Sequence, residues 1–285
     1  MNDTFSEKRG FLTIAQNNSK TDYLELAYCQ ALSIKATQKN ASCALLVDSI
    51  TSSQLQQKHI DIFDYIREFE TDESTSDDWK FRNEWKVWWL TPYFETIKVE
   101  SDILFTTGID HWWSGLQQKE VVLTTKIRNY EGTVSKCRSY RQLFDENNLP
   151  DVYSGLMYFR YGPTSLEFFQ TARHIFEHWD LFKTQILKSC RDDYPTTDVV
   201  YAIAARIVGI ENVTNPALSY PSFVHMKGAI NDWDIDADWT KKLYAEMDGT
   251  NLTVGFTRQM YPFHYHKKEF AKEVIPHYET ILEKK

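Results

Sequence analysis

The chain reads as an α/β protein built on an open, twisted mixed sheet. Three observations predict this. A strand, a helix and a second strand fit within residues 10–48, and a βαβ unit of that size implies parallel pairing. Strand and helix patterns then alternate through about residue 210. Aromatic residues make up 15% of the 285 positions, enough to fill the core of one large domain.

The elements follow in order. "GFLTIAQN" (10–17) is an apolar strand ending in polar residues. "DYLELAYCQALSIKATQ" (22–38) places Leu24, Ala27, Tyr28, Ala31 and Leu32 at helical spacing, with Thr21 or Asp22 as its cap. "CALLVD" (43–48) is a short apolar strand closing in Asp48, and "DIFDYIREF" (61–69) fits either a strand or a helix. The acidic run "ETDESTSDD" (70–78) reads as a solvated loop. "WKFRNEWKVWWL" (79–90) reads as an aromatic helix ended by Thr91-Pro92, because proline disfavours helix in the residue before it. Strands are predicted in "YFETIKVESDILF" (93–105), "VVLTTKI" (121–127) and "SGLMYFRY" (154–161). A helix spans 165–188 with a break near Trp179-Asp180, and another spans 197–209, capped by Thr197 and stopped by Gly209. The last 60 residues read as aromatic and irregular.

Composition narrows the function. Charged residues are 25% of the chain and mean hydropathy is −0.49, and no apolar stretch approaches the roughly 18 residues of a membrane span. "MNDTFSEKRG" lacks the apolar segment of a secretion signal. Cys29, Cys43, Cys137 and Cys190 are scattered without CxxC spacing, so they read as reduced thiols of a cytoplasmic protein. A net charge of −8 argues against a surface that grips nucleic acid throughout.

The chemistry concentrates at Glu100-Ser101-Asp102. Side chains alternate along a strand, so both acids are expected on one side of an extended backbone. Oxygen ligands so paired suit Mg²⁺ or Mn²⁺, which complete their shells with water and substrate phosphates. The bland alternative is a turn cap beside a salt bridge. Ligands of an α/β sheet sit at the carboxyl ends of its strands, where Asp48 and this acid pair are both expected.

The segment "WWLTPYFETIKVESDILF" resembles the stretch through the D-x-D motif of type A glycosyltransferases of family 8, the glycogenin and galactinol-synthase group. Trp88, Leu90, Thr91, Tyr93 and Asp102 match, with Glu100 in place of the first Asp. Three further stretches follow in the family's order. "DVYSGLMYF" is similar to its F-N-S-G-V strand, keeping Ser154-Gly155. "YPTTDVVYAIA" is similar to its D-Q-x-x-L-N helix start, keeping Asp198. "FVHMKGAINDW" is similar to H-F-x-G-x-x-K-P-W, keeping His225, Gly228 and Trp233 but with Asn231-Asp232 in place of Lys-Pro.

The resemblance implies a single GT-A-like domain over residues 1–285. Its Rossmann-like nucleotide-sugar half would span about 10–120, and an acceptor-side half with a C-terminal extension would span 121–285. It implies a retaining transfer from a nucleotide-diphosphate sugar, expected to be UDP-linked, to an acceptor hydroxyl. Glu100, Asp102 and His225 would hold the metal. Asp198 and Ser154 would face the donor sugar. Gly228 would approach the diphosphate, with Lys227, Arg82 or Lys86 replacing the lost lysine. Gln16, Asn17 and Asp48 would contact the nucleoside.

The phrases "GFLTIAQN" and "TDVVYAIA" are also similar to glycosyltransferases of T-even-like phages, which implies an acceptor in DNA, the hydroxymethyl group of a modified cytosine, and a location in the host cytoplasm. The segment 125–144 carries Lys126, Arg128, Lys136, Arg138 and Arg141 against Glu131 alone, with Tyr130 and Tyr140 interleaved. Such a loop tracks phosphates and stacks bases when it is not merely solvated. Trp112, Trp113, Tyr261 and Phe263 are candidates for a pocket receiving a flipped base or an acceptor sugar. His264 and His266 alternate and either line the acceptor pocket or take the place of His225 at the metal. His174 and His178 have zinc spacing but no HExxH, so packing or surface is the better reading. Other readings are a carbohydrate or glycolipid acceptor, a sugar-nucleotide nucleotidyltransferase, disfavoured because "AQNNSKTDY" lacks glycine, and a non-catalytic binding protein.

Overall fold

The computed structural model describes residues 7–74, 76 and 79–284. The first six residues, Thr75, Asp77 and Asp78 of the acidic run, and Lys285 lie outside the described residues.

The chain runs β1 (Glu7–Ala15), α1 (Tyr23–Thr37), β2 (Cys43–Val47), α2 (Ser49–Ser52), α3 (Gln57–Ile62) and β3 (Tyr65–Glu68). A 3₁₀ helix (Phe81–Lys86) leads into α4 (Val87–Leu90), β4 (Tyr93–Val99), β5 (Ile103–Leu104) and α5 (Trp112–Leu116). Then come β6 (Val121–Thr124), β7 (Lys126–Arg128), α6 (Gln142–Glu146), β8 (Tyr153–Arg160), α7 (Pro163–Glu177), α8 (Trp179–Gln185), α9 (Thr197–Val208) and α10 (Ile210–Val213). The chain closes with β9 (Ser222–His225), β10 (Ala245–Asp248), β11 (Asn251–Val254), β12 (Thr257–Arg258), β13 (Phe263–His264) and α11 (Phe270–Glu283).

The α/β prediction holds. Among the described residues the main sheet has six strands in the order β3-β2-β1-β4-β8-β6. The first four are mutually parallel, while β8 runs antiparallel to both β4 and β6. The strand pleat sorts side chains to two faces. Phe11, Leu45, Ile97 and Tyr158 pack with Leu24 and Ala27 of α1, whereas Leu12, Leu46, Met157 and Phe159 pack with Phe168 of α7 and Tyr201 of α9. Asp22 caps α1 by accepting the Glu25 N–H. That helix is apolar nearly all round because α11 covers the side away from the sheet.

Several local expectations are corrected. Glu100 and Asp102 do not lie on a pleated strand: β4 ends at Val99, and a turn closed by the Ile103 N–H on the Glu100 carbonyl (3.1 Å) brings the acids together. The expected 79–90 helix divides into the 3₁₀ turn and α4. The 121–127 strand divides as well, with β6 in the main sheet and β7 in a second sheet of order β5-β13-β9-β7. Thr196, not Thr197, is the residue before α9. The last 60 residues are ordered into the antiparallel β10-β11-β12 sheet, β13 and the long α11, whose apolar face was hidden among its charged residues. The break between α7 and α8 falls at His178, one residue from its expected place.

Candidate functional site

The strand ends of β1 and β4 open onto one cleft of about 300 Å³. Ile14, Gln16, Asn18 and Tyr23 come to it from β1 and the loop beyond it. Lys80, Phe81 and Glu84 come from the 3₁₀ turn, and Lys98 through Asp102 from the end of β4. The second sheet supplies the opposite wall: His225 and Lys227 follow β9, and His264, His266 and Lys268 follow or end β13. The parallel pairing of β13 with β9 places His264 beside His225, and its antiparallel pairing with β5 sets His264 against Ile103.

This double pairing builds the centre of the site. Single ligand atoms of Glu100, Asp102 and His264 lie within 4.8 Å of one another. His264 Nε2 is 2.7 Å from Asp102 Oδ2, and its Nδ1 is buried with no hydrogen-bond partner among the described residues. Lys268 Nζ donates to the same Asp102 oxygen. Burial alone would raise the Asp102 pKa, but His264 and Lys268 more than reverse this and hold it well below the usual carboxylate range. Glu100 has no such partner among the described residues: its Oε1 lies 3.4 Å from Ser154 Oγ, whose proton is directed to Asp198 at 2.8 Å, and burial raises its pKa. Two carboxylate oxygens and an imidazole nitrogen form a donor set that suits a divalent cation.

His225 stands next to this cluster and outside it. Its ring stacks on His264 with centroids 4.2 Å apart, and its Nδ1 accepts the Lys227 N–H (3.3 Å). Burial, followed by the neighbouring His264 and His266, pushes its pKa well down. Asn231, which stands where the resembled motif has lysine, ties this turn together by donating to the carbonyls of His225 (3.0 Å) and Lys227 (2.9 Å). Gly228 is required by packing: a Cβ there would lie 2.0 Å from the Asp234 carbonyl oxygen. His266 lies on the same wall, its ring centre 5.8 Å from that of His225 and its backbone in the left-handed region, and burial lowers its pKa to about 4.

Asp198 neither caps α9 nor lines the cleft. Its Oδ1 accepts the Ser154 N–H (2.7 Å) and hydroxyl (2.8 Å), and its Oδ2 accepts Arg141 Nη1 (2.8 Å). The Ser154 hydroxyl lies between Asp198 and Glu100, so Arg141, Asp198, Ser154 and Glu100 form a continuous polar chain leading to the acid pair.

Asp48, expected at the nucleoside, is outside the cleft lining: it caps α2 through the Thr51 N–H (2.8 Å) and also accepts Lys80 (3.0 Å) and Gln16 (3.2 Å). These bonds outweigh the effect of its burial and lower its pKa. Gln16 lines the cleft, but Asn17 does not: it accepts the Leu24 N–H and donates to Gln54 and Asp22, organising the entry to α1.

The cations offered for the diphosphate are relocated. Lys86 turns away to Thr71 and to Glu73 (3.1 Å), and Arg82 is outside the cleft lining. Lys227 remains in the lining, with its Nζ 4.5 Å from the Tyr140 ring centre. Sequence reasoning missed Lys80, Lys98 and Lys268. Lys98 was visible as a cation inside an apolar strand, and it pairs with Glu84 at 2.6 Å in the cleft wall. Lys268 was visible in "HYHKK", directly after the paired histidines.

The acceptor-side residues also change standing. Arg141 is 1% exposed, held by Asp151 and Asp198, and Arg138 pairs with Asp145 and Asp151 (2.7 Å). Arg128 lies over the Tyr261 ring at 4.1 Å and donates to the Gly132 carbonyl and Ser222. Arg138 and Arg141 are therefore paired with acids, Arg141 inside the protein and Arg138 at its surface, while Lys126 and Lys136 are exposed. Trp112, Trp113 and Phe263 are core residues, with Trp112 stacked on Tyr220. His174 and His178 lie side by side, 4.4 Å between ring centres, with no third ligand among the described residues.

No protein-family model matches the chain, and no curated protein matches it. Among solved structures it is similar to the WbbM bifunctional glycosyltransferase at 12% identity and TM-score 0.47, covering 96% of this chain and 45% of that one. It is similar to mouse xyloside xylosyltransferase 1 at 9% identity and TM-score 0.45, covering 70% and 82%. It is similar to the galactosyltransferase LgtC, solved with donor and acceptor sugar analogues, at 10% identity and TM-score 0.42, covering 68% and 69%. The chain thus spans less than half the length of the WbbM chain. None of the described helices is long and apolar enough to cross a membrane.

Proposed function

We propose that the chain is a glycosyltransferase that moves a sugar from a nucleotide-diphosphate sugar to an acceptor hydroxyl. The observation that carries this reading is the convergence of Glu100, Asp102 and His264 at the end of β4, inside the main cleft. The motif resemblance of the segments around Trp88–Asp102, Ser154, Asp198 and His225 supports it.

Glu100, Asp102 and His264 would hold Mn²⁺ or Mg²⁺, with His225 beside them. When bound there, a divalent cation supplies positive charge against that of a leaving nucleoside diphosphate. The chain's own residues do the rest. β1 and β4 are neighbours in the sheet, and neighbouring strands lie about 4.8 Å apart. A nucleoside at Gln16, Asn18 and Phe81, beyond β1, would therefore have its phosphates within reach of the acid pair beyond β4. Lys227 adds charge near the phosphates. Ser154 and Asp198, held by Arg141, form the support beneath the sugar and orient Glu100. The transfer is assigned retention on the resemblance.

The nucleotidyltransferase alternative needs backbone N–H groups free to cradle a triphosphate after β1. In that loop the Asn17 N–H is instead donated to Thr51, the Asn18 N–H to the Thr21 carbonyl, and the Lys20 and Thr21 N–H groups to Asn18 Oδ1. For the acceptor, hydroxymethylcytosine in DNA and a carbohydrate are the two proposals, and the first loses the support of Arg141, which is buried.

The test is incubation with a panel of nucleotide sugars and Mn²⁺, with hydroxymethylated DNA or oligosaccharides as acceptors. Release of nucleoside diphosphate and a product heavier by one sugar are expected, and NMR of the product reads its anomeric configuration. Absence of both turnover and nucleotide binding across the panel would refute the reading.

A further inference from the structure

The lysines of the cleft are not equivalent. Lys98 is committed to Glu84 (2.6 Å), Lys80 to Asp48 (3.0 Å), and Lys227 lies over Tyr140. Among the described lysines Lys268 alone reaches the acid pair: its Nζ touches Asp102 Oδ2, the oxygen that also meets His264. Its side chain is about a third exposed, while that of Asp102 is 6% exposed. Glu100, two positions before Asp102 in the same turn, has no bonded cation among the described residues.

A divalent ion placed among Glu100, Asp102 and His264 would meet the Lys268 ammonium at short range. Two like charges at such a distance repel strongly where water is scarce. The lysine stem is flexible and its ammonium is a compact charge that can move to a new anion. Lys268 precedes α11, which packs on α1, so its backbone stays anchored while its side chain swings.

We propose that Lys268 is a built-in counter-cation. It neutralises Asp102 before ligands bind, yields that carboxylate to the divalent cation, and transfers its ammonium to the donor's phosphate oxygens. This rests on the sugar-nucleotide reading and adds to it a residue that couples cation binding to donor binding.

The experiment uses the full chain and two probes. Mn²⁺ alone is titrated calorimetrically into wild type, Lys268→Met, Lys268→Gln and Lys268→Arg. Uridine diphosphate is then titrated into each Mn²⁺-loaded protein. Removing the charge should tighten Mn²⁺ binding by roughly tenfold or more, with the arginine variant close to wild type. Uridine diphosphate should bind the methionine and glutamine variants at least about tenfold more weakly. Mn²⁺ binding that is unchanged or weaker in the neutral variants overturns the exchange at Asp102, as does a lack of Mn²⁺ binding by all four. Tighter Mn²⁺ with unchanged uridine diphosphate affinity overturns the transfer to phosphate. Failure of Mn²⁺-loaded wild type to bind uridine diphosphate counts against the sugar-nucleotide reading, while the Mn²⁺ comparison still decides the exchange.

Discussion

Asp102 and His264 stand 162 positions apart in sequence and 2.7 Å apart in space. Neither residue has a local reason to face the other. Asp102 ends a turn, and His264 ends a two-residue strand that pairs with β5 on one side and β9 on the other. The contact therefore reports how the second sheet closes over the carboxyl end of β4, an interior strand of the first.

Asp102→Asn keeps the shape of this contact and removes the charge. Mn²⁺-dependent release of nucleoside diphosphate should fall at least ~100-fold, with the circular dichroism spectrum unchanged. Activity equal to wild type at saturating donor would remove Asp102 from the site.

Arg141→Met leaves Asp198 and Asp151 without their buried partner. Both acids are partly exposed and water can take up some of the loss, so the cost is about 1.5–3 kcal/mol, read as a lower midpoint in urea unfolding. Arg138→Glu, at the surface, should change stability little. Equal effects at the two positions would contradict the burial of Arg141.

Gly228→Ala places a methyl group against a carbonyl that belongs to the backbone and cannot rotate away. Destabilisation of roughly 1–3 kcal/mol is expected, with weaker donor binding because Lys227 and the His225 turn shift together. A variant as stable as wild type would show that the 228–235 turn relaxes freely.

His59 makes stability depend on pH away from the cleft. Its ring is 3% exposed, and its Nδ1 accepts the Gln56 N–H (2.9 Å) in the cap of α3. Burial, then the adjacent Lys58, lowers its pKa. The unfolded chain takes up a proton near the ordinary value of about 6.5, and the folded chain resists it. The contribution is therefore complete above about pH 6.5 and is lost as pH falls towards the lowered folded value. Melting temperatures between about pH 8 and about pH 5 should fall more steeply for wild type than for His59→Asn, which keeps an acceptor but cannot titrate. Parallel curves would rule this group out.

Much of the first half of the fold is legible because its signals are local. Asp22 before an apolar helix, Gly209 after another, and the buried runs 10–15 and 43–47 each name their element without reference to the rest of the chain. The 79–90 segment misled because tryptophans suit a 3₁₀ turn as well as an α-helix when both pack on α7. The acid pair was also legible, since two carboxylates in an apolar run stand out, although a turn and not a pleat joins them. Arg141 was misread because charge pattern alone cannot distinguish a solvated cation from one paired with distant acids.

The residues themselves announce a sheet with helices on it, an acid pair at a strand end, and a stock of lysines and histidines near the chain's close. Which histidine meets the acids, which lysine reaches them and which arginine is drawn inside depend on strand pairings and ion pairs between separate segments: Ile103 of β5 pairs with His264 of β13, and Arg141 meets Asp198. Those pairings form because β5, β7, β9 and β13 complete one another's backbone hydrogen bonds and bury apolar faces that none could bury alone. Periodicity along a chain encodes which face of an element is apolar; only the closed sheet decides which neighbour covers it.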